Sequence, residues 1–189
     1  MAELSKPVYP GDAFFLMRPT LVESQTMRIA AMPLATEYGG TVPDEFHLTV
    51  QRARDIAPHD WERVLTDLHV ALQGIRPFKL EAVGLWRFYS QFRQSNALFW
   101  TMKQSPSLLK VRKALDEVLE KYGATKYPYP LDEWKPHTLA LQNAQGLDGD
   151  LKFADTMPRP AFTVTSLSLS VYLPWGVFAE HPIAIFTPK

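Results

Sequence analysis

Apolar residues recur along this chain in two rhythms, an alternation suited to strands and a three-to-four residue spacing suited to helices. Ala13-Phe14-Phe15-Leu16-Met17 is a compact apolar run closed by Arg18-Pro19, and it reads as a buried strand. Met27, Ala30, Ala31 and Leu34 then follow helical spacing, which predicts a helix from near Glu23 to the stop at Gly39-Gly40, kinked or broken at Pro33. A strand carrying His47 comes next. Trp61, Val64, Leu65, Leu68, Leu72 and Ile75 form a second helical stripe, ended by Gly74 and Pro77. Phe78 to Phe88 and Ala97 to Met102 read as two strands. Ser105-Pro106 is a cap followed by proline, the favoured opening of a helix, and Leu108, Val111, Leu115, Val118 and Leu119 give that helix an inner face running to Gly123. Tyr127-Pro128-Tyr129-Pro130 is too proline-rich for either element and predicts a loop that delivers a strand bearing His137. Phe162, Val164, Leu167, Leu169 and Val171 mark a further strand region, with a shift of alternation at Thr165-Ser166 that signals a bulge. His181 to Phe186 reads as the last strand.

Strands and helices are thus interspersed, with no linker long enough to separate independent domains. The expected fold class is α+β, with residues 1–189 forming a single bilobal domain. Two antiparallel-rich sheets would face a central cleft, helices outside, and each lobe would supply one histidine strand. The cleft between the lobes is then the default site. A hydrophobic content of 46% is ordinary for a globular chain able to bury a core. Lysine plus arginine and aspartate plus glutamate both number 20, which removes the basic field expected of a protein that grips a long nucleic-acid backbone. A small substrate or the end of an RNA fits that balance better. The chain has no cysteine, so disulfides, thiolate metal sites and a cysteine nucleophile are excluded. No signal-peptide pattern opens it and no apolar run approaches the roughly 18 residues of a membrane span, so the expected location is the cytoplasm, with no membrane partner.

The chemistry resides in two short motifs, Phe46-His47-Leu48-Thr49-Val50 and Lys135-Pro136-His137-Thr138-Leu139-Ala140-Leu141. In the first, the strand period of two puts His47 and Thr49 on one face and Phe46, Leu48 and Val50 on the other. Histidine titrates near neutral pH, so one imidazole can act as a neutral base while a second serves as a charged acid, the pair needed to hydrolyse a cyclic phosphodiester. The threonine hydroxyls would hold and polarise the phosphate. A single His-x-Thr is more often an ordinary strand histidine, and it is the pairing that gives the pattern weight. His59, His69 and His181 lie at a helix start, on a helix beside its stripe and before Pro182, and none is assigned to catalysis.

With these motifs the chain resembles the 2H phosphoesterase superfamily, the 2′-5′ RNA ligase-like and RNA 2′,3′-cyclic phosphodiesterase proteins. The likeness includes Phe14-Phe15-Leu16, the segment Phe78 to Phe88 with its Gly84-Leu85, the strand Leu98-Phe99-Trp100, the helix Leu108 to Gly123 and the run Leu167 to Leu173. The resemblance implies a bilobal fold with a water-filled cleft, no metal, no cofactor, and both histidines directed at one scissile phosphate. His47, Thr49 and His137 carry over directly. The second motif departs from the pattern, because His137 and Thr138 are adjacent. On a regular strand Thr138 would face away from His137 and Leu139 would take its side, unless a bulge after Pro136 restores the hydroxyl. The family often places an arginine after the Gly-Leu segment, and Arg93 is the best match with Arg87 second. Tyr89, Phe92, Trp134 and Tyr172 are candidates for stacking on a base, with core packing the competing fate.

The sequence therefore points to an enzyme that opens a nucleoside or RNA-terminal 2′,3′-cyclic phosphate by attack of water, and that would form a 2′-5′ bond where an RNA 5′-hydroxyl takes the place of water as nucleophile. His137 is expected as the base and His47 as the acid, with the exchanged assignment as the alternative. The expected partner is a nucleotide or an RNA 3′ end carrying a cyclic phosphate, with no obligate protein partner. The alternatives are a noncatalytic RNA-end or cyclic-nucleotide binding module and a phosphodiesterase acting on 2′-5′-linked or cyclic oligonucleotides.

Overall fold

The computed structural model describes residues 8–90, 95–127, 133–146, 149–151 and 157–187. β1 (Ala13–Met17) buries Phe15 and Met17 completely. α1 (Leu21–Tyr38) starts two residues before Glu23, because Thr20 and Glu23 form a capping box in which each side chain accepts from the other's backbone N–H. The helix passes through Pro33 without a break, contrary to one reading of the sequence. Pro33 lies on the exposed face, and the carbonyl it leaves without a donor belongs to Ile29, itself on the solvent side of the helix.

β2 (Leu48–Arg54) is followed by α2 (Trp61–Ala71), then by the long pair β3 (Phe78–Ser90) and β4 (Ser95–Met102). α3 (Pro106–Lys121) opens as its sequence requires, with the Ser105 side chain accepting from Leu108 N and proline at the first helical position. Two short strands that hydrophobic pattern does not signal come next or nearby: β5 (Thr125–Lys126) and β7 (Gly149–Leu151), on either side of β6 (His137–Ala144). The region Phe162 to Val171 is two strands rather than one with a bulge. β8 (Ala161–Val164) pairs with β3, whereas β9 (Ser166–Tyr172) pairs with β1 and with β10 (Phe178–Ile185). Thr165 is the point at which the chain changes partner. Of the Tyr127 to Pro130 loop, only Tyr127 lies within the described residues.

All strand pairings are antiparallel, and the main path runs β10-β9-β1-β2-β6-β4-β3-β7, with β5 added on β2 and β8 on β3. Among the described residues the two halves of this path, β10-β9-β1-β2 and β6-β4-β3-β7, meet at a single ladder position, Leu48 opposite Thr138. One face of the joined sheet carries Leu48, Val50, Trp100 and Leu141, all fully buried, and packs against the helices: α1 on β6, α3 on β2, α2 on α3 and β10. No helix among the described residues is long and apolar enough to cross a membrane.

Candidate functional site

Both histidine motifs fall at the seam between the halves. His47 immediately precedes β2 and His137 opens β6. Phe46, Leu48 and Val50 are buried while His47 and Thr49 stay half-buried, so period-two alternation holds through the first motif. It then breaks. Thr49 pairs with Leu16 but Gln51 pairs with Phe15, so β2 contains one extra residue, a bulge that leaves Val50 and Gln51 both turned to the helices. The bulged backbone is held by α3: the buried Arg112 donates from Nη1 to the Val50 carbonyl at 2.8 Å and from Nε to Asp116 at 3.0 Å, and Asp116 also accepts from the Gln51 amide at 2.5 Å. The consequence is that Arg52 and Arg54 return to the face that bears His47 and Thr49.

Directly opposed residues of neighbouring strands share a face. Leu48 and Thr138 are both fully buried on the helix side. Carrying that antiparallel register one residue further sets Thr49 across from His137, with His47 diagonal to His137 at about 7–8 Å between backbones. Further across the sheet, His137 pairs with Thr101 and Thr101 with Gly84. One row on the open face is therefore Thr49, His137, Thr101, Gly84. The next row is His47, Leu139, Phe99, Trp86, the last three linked by the pairs Leu139 with Phe99 and Phe99 with Trp86.

The imidazole of His137 is locked in place. Its Nδ1 is 2.8 Å from the Lys135 carbonyl, which only accepts, so Nδ1 carries the proton and Nε2 has the free lone pair in the neutral ring. Phe99 and Trp86 meet the ring edge-on, with centroids at 4.9 and 5.6 Å. This burial disfavours the imidazolium and pushes the His137 pKa below the ordinary histidine value, an effect that the Lys135 carbonyl only partly opposes. Trp86 also packs on Phe99 at 5.5 Å and on Phe88 at 5.7 Å, so an aromatic wall rises beside His137. Within the sequence its signal is the alternation Trp86, Phe88 on one strand and Phe99, Thr101 on the next.

Three-dimensional comparison gives this arrangement a context. E. coli LigT complexed with 3′-AMP superposes over 95% of this chain and 100% of its own, with a TM-score of 0.64 at 18% identity. The chain has a LigT-like fold. A protein described as a phosphoesterase matches equally well, with a TM-score of 0.64 at 16% identity over 95% of this chain and 100% of that one. Kluyveromyces marxianus Usb1 superposes with a TM-score of 0.56 at 12% identity, covering 95% and 100% of the two chains. No family model and no curated protein sequence matches the chain.

Within this fold, several residues expected at the site lie away from the face that bears the two histidines. Thr138 is fully buried on the helix side, across from Trp100, and its hydroxyl has no hydrogen-bond partner among the described residues. No bulge follows Pro136, so strand alternation sends Thr138 away from His137 and its hydroxyl off the open face. Replacing Thr138 by valine should leave stability unchanged or raise it by up to about 1 kcal/mol, because an unpaired buried hydroxyl is removed at constant volume. A lowered denaturant midpoint for that variant would show that the hydroxyl has a partner after all. Arg87 pairs with the buried Leu98 on the helix-side face and donates to the Gln145 carbonyl at 2.6 Å, which removes it from the open face. Trp134 is buried under the Arg112 guanidinium at 5.1 Å and belongs to the core. Tyr172 remains on the open face of β9 but packs on Phe178, four residues or roughly 13 Å along the strand from Ser168, which lies level with Thr49. Tyr89 is exposed at the outer end of β3, and Arg93 and Phe92 lie outside the described residues.

One cluster on this face has no counterpart in the sequence expectations. Asp12, fully buried, accepts from Arg52 Nη2 at 2.5 Å, from Arg54 Nε at 2.9 Å and from Tyr9 N at 2.7 Å. Tyr127 lies against Arg52, with the guanidinium 3.9 Å from its ring centroid, and Phe14 covers the other flank at 5.1 Å. Burial raises the Asp12 pKa, but the Arg54, Tyr9 and Arg52 hydrogen bonds outweigh it and hold the carboxyl below its ordinary value. Among the described residues no three histidine, aspartate or glutamate side chains gather as a metal site.

Proposed function

We propose that this protein is a metal-independent phosphodiesterase that hydrolyses a nucleoside or RNA-terminal 2′,3′-cyclic phosphate. The observation that carries this reading is His137: its Nδ1 meets the Lys135 carbonyl, which leaves Nε2 as the basic nitrogen of the neutral ring, and it shares one sheet face with His47 and Thr49. Nε2 takes a proton from water as the water oxygen bonds to phosphorus. The bond from phosphorus to one ribose oxygen then breaks, and that oxygen receives the proton of the His47 imidazolium. Thr49 donates to a nonbridging oxygen as charge builds there. The aromatic wall of Trp86, Phe99 and Phe88 gives a base a surface on which to stack. LigT in complex with 3′-AMP supports the substrate class, since a nucleoside 3′-monophosphate is one product of opening a 2′,3′-cyclic ring.

The direct test is turnover of the four nucleoside 2′,3′-cyclic monophosphates, and of RNA ending in a cyclic phosphate, in the presence of EDTA. The expected result is hydrolysis to a monophosphate at a rate unchanged by the chelator. Binding of these molecules without turnover would instead identify a noncatalytic binding module, and turnover abolished by EDTA would overturn the two-histidine mechanism.

A further inference from the structure

We infer that Thr101, on the strand beside β6, supplies the phosphate-binding hydroxyl that the second histidine motif lacks; this rests on the phosphodiesterase reading above. The motif places a hydroxyl next to histidine rather than two residues beyond it, and the fold sends that hydroxyl, Thr138, into the core. The position two residues beyond His137 is Leu139, which cannot donate. Yet the open face still offers a threonine beside His137, because β4 pairs with β6 in the register that puts Thr101 directly across from it. Directly opposed side chains on one face have their Cβ atoms about 4.5–5.5 Å apart, so both can reach a single phosphate group.

Three further observations favour Thr101 as a working hydroxyl. It is half-buried, in contrast to the sealed Thr138, and therefore open to a ligand on that face. Among the described residues no hydrogen-bond partner of its hydroxyl is found, so none of them holds it away from the open face. Its other neighbour across the sheet is Gly84, where a methyl group would already touch Thr101 Oγ1 at 3.7 Å, so the absent side chain leaves a methyl-sized gap on that flank of the hydroxyl. With Thr49 across from His137 on the opposite flank, the base stands between two hydroxyls, one from each half of the sheet. A phosphate over His137 would receive donors from both sides, the arrangement that the second motif alone does not provide.

The test compares Thr101→Val, Thr101→Ser and Thr138→Val in the full chain, with His47→Ala and His137→Ala as references. Hydrolysis of a nucleoside 2′,3′-cyclic monophosphate and binding of 3′-AMP are both measured. Thr101→Val should lower kcat about 10- to 100-fold with little change in KM, as expected when one hydrogen bond to developing charge is lost. Thr101→Ser should restore most of the rate, which a purely packing role would not do, and Thr138→Val should keep the native rate. A native rate in Thr101→Val, alongside inactive histidine variants, would overturn the assignment of Thr101 and leave the phosphodiesterase reading intact. If the native chain binds 3′-AMP without turnover, an affinity unchanged by Thr101→Val would overturn the assignment, and one weakened about tenfold would support it. Neither turnover nor 3′-AMP binding by the native chain would overturn both readings together.

Discussion

Replacing His137 by alanine should lower kcat on a nucleoside 2′,3′-cyclic monophosphate by about 10²- to 10⁴-fold, the range that a positioned general base contributes. The substitution removes a ring packed on Phe99 and Trp86 at the edge of the sheet seam, so the folded state should survive it. His47→Ala should cost a similar factor. The pH profile distinguishes the two. Burial lowers the His137 pKa, so the neutral base is already available below the ordinary histidine value of about 6.5, and kcat/KM should rise with pH through a midpoint below that value. A stopped assay across pH 4 to 9 would show the displaced limb, as about half the base is unprotonated at its own pKa. A midpoint at or above the ordinary value, or a loss under about tenfold on removing His137, would contradict its role as the base.

The second large effect concerns stability. Asp12→Ala should destabilise the protein by about 3 kcal/mol, at the lower end of what breaking a buried ion pair costs, because Arg52 and Arg54 would be left side by side without their shared counter-charge while keeping part of their surface in water. Urea unfolding at neutral pH measures it, and a loss under about 1 kcal/mol would mean that Tyr127 and Phe14 suffice to hold the two guanidinium groups. The linkage has a definite sign. The folded-state pKa of Asp12 is lowered, so its stabilisation is complete above the ordinary carboxylate pKa and disappears as pH falls through the lowered value. Asp12→Ala should therefore lose the corresponding part of the acid sensitivity of the native chain.

Local chemistry explains what could be read from the sequence. The face shared by His47 and Thr49 follows from strand alternation, and the inward turn of Thr138 follows from the missing spacer in its motif. The α3 opening followed from Ser105-Pro106, and the earlier start of α1 was present as the Thr20 to Glu23 capping spacing, although the stripe beginning at Met27 gave no weight to it. What escaped the sequence depends on pairing between distant segments. The bulge in β2 exists because Arg112 and Asp116 on α3 satisfy the backbone and side chain that it turns inward. β5 and β7 are too short to carry a pattern and exist only as additions to longer strands. Thr101 is an ordinary alternating strand position until the register between β4 and β6 sets it beside His137. Arg87 and Trp134 have the polar or aromatic character of ligand-binding residues, but their neighbours Gln145 and Arg112 already use it.

The single ladder pair at Leu48 and Thr138 bears on how the two imidazoles are held. Each half of the sheet is cross-braced by several paired strands, whereas among the described residues the halves share one main-chain ladder pair. The His47 imidazole beside β2 and the His137 imidazole on β6 therefore sit on opposite sides of a seam whose register rests on that one pair and on the side chains packed across it, Phe46 against Trp100 among them.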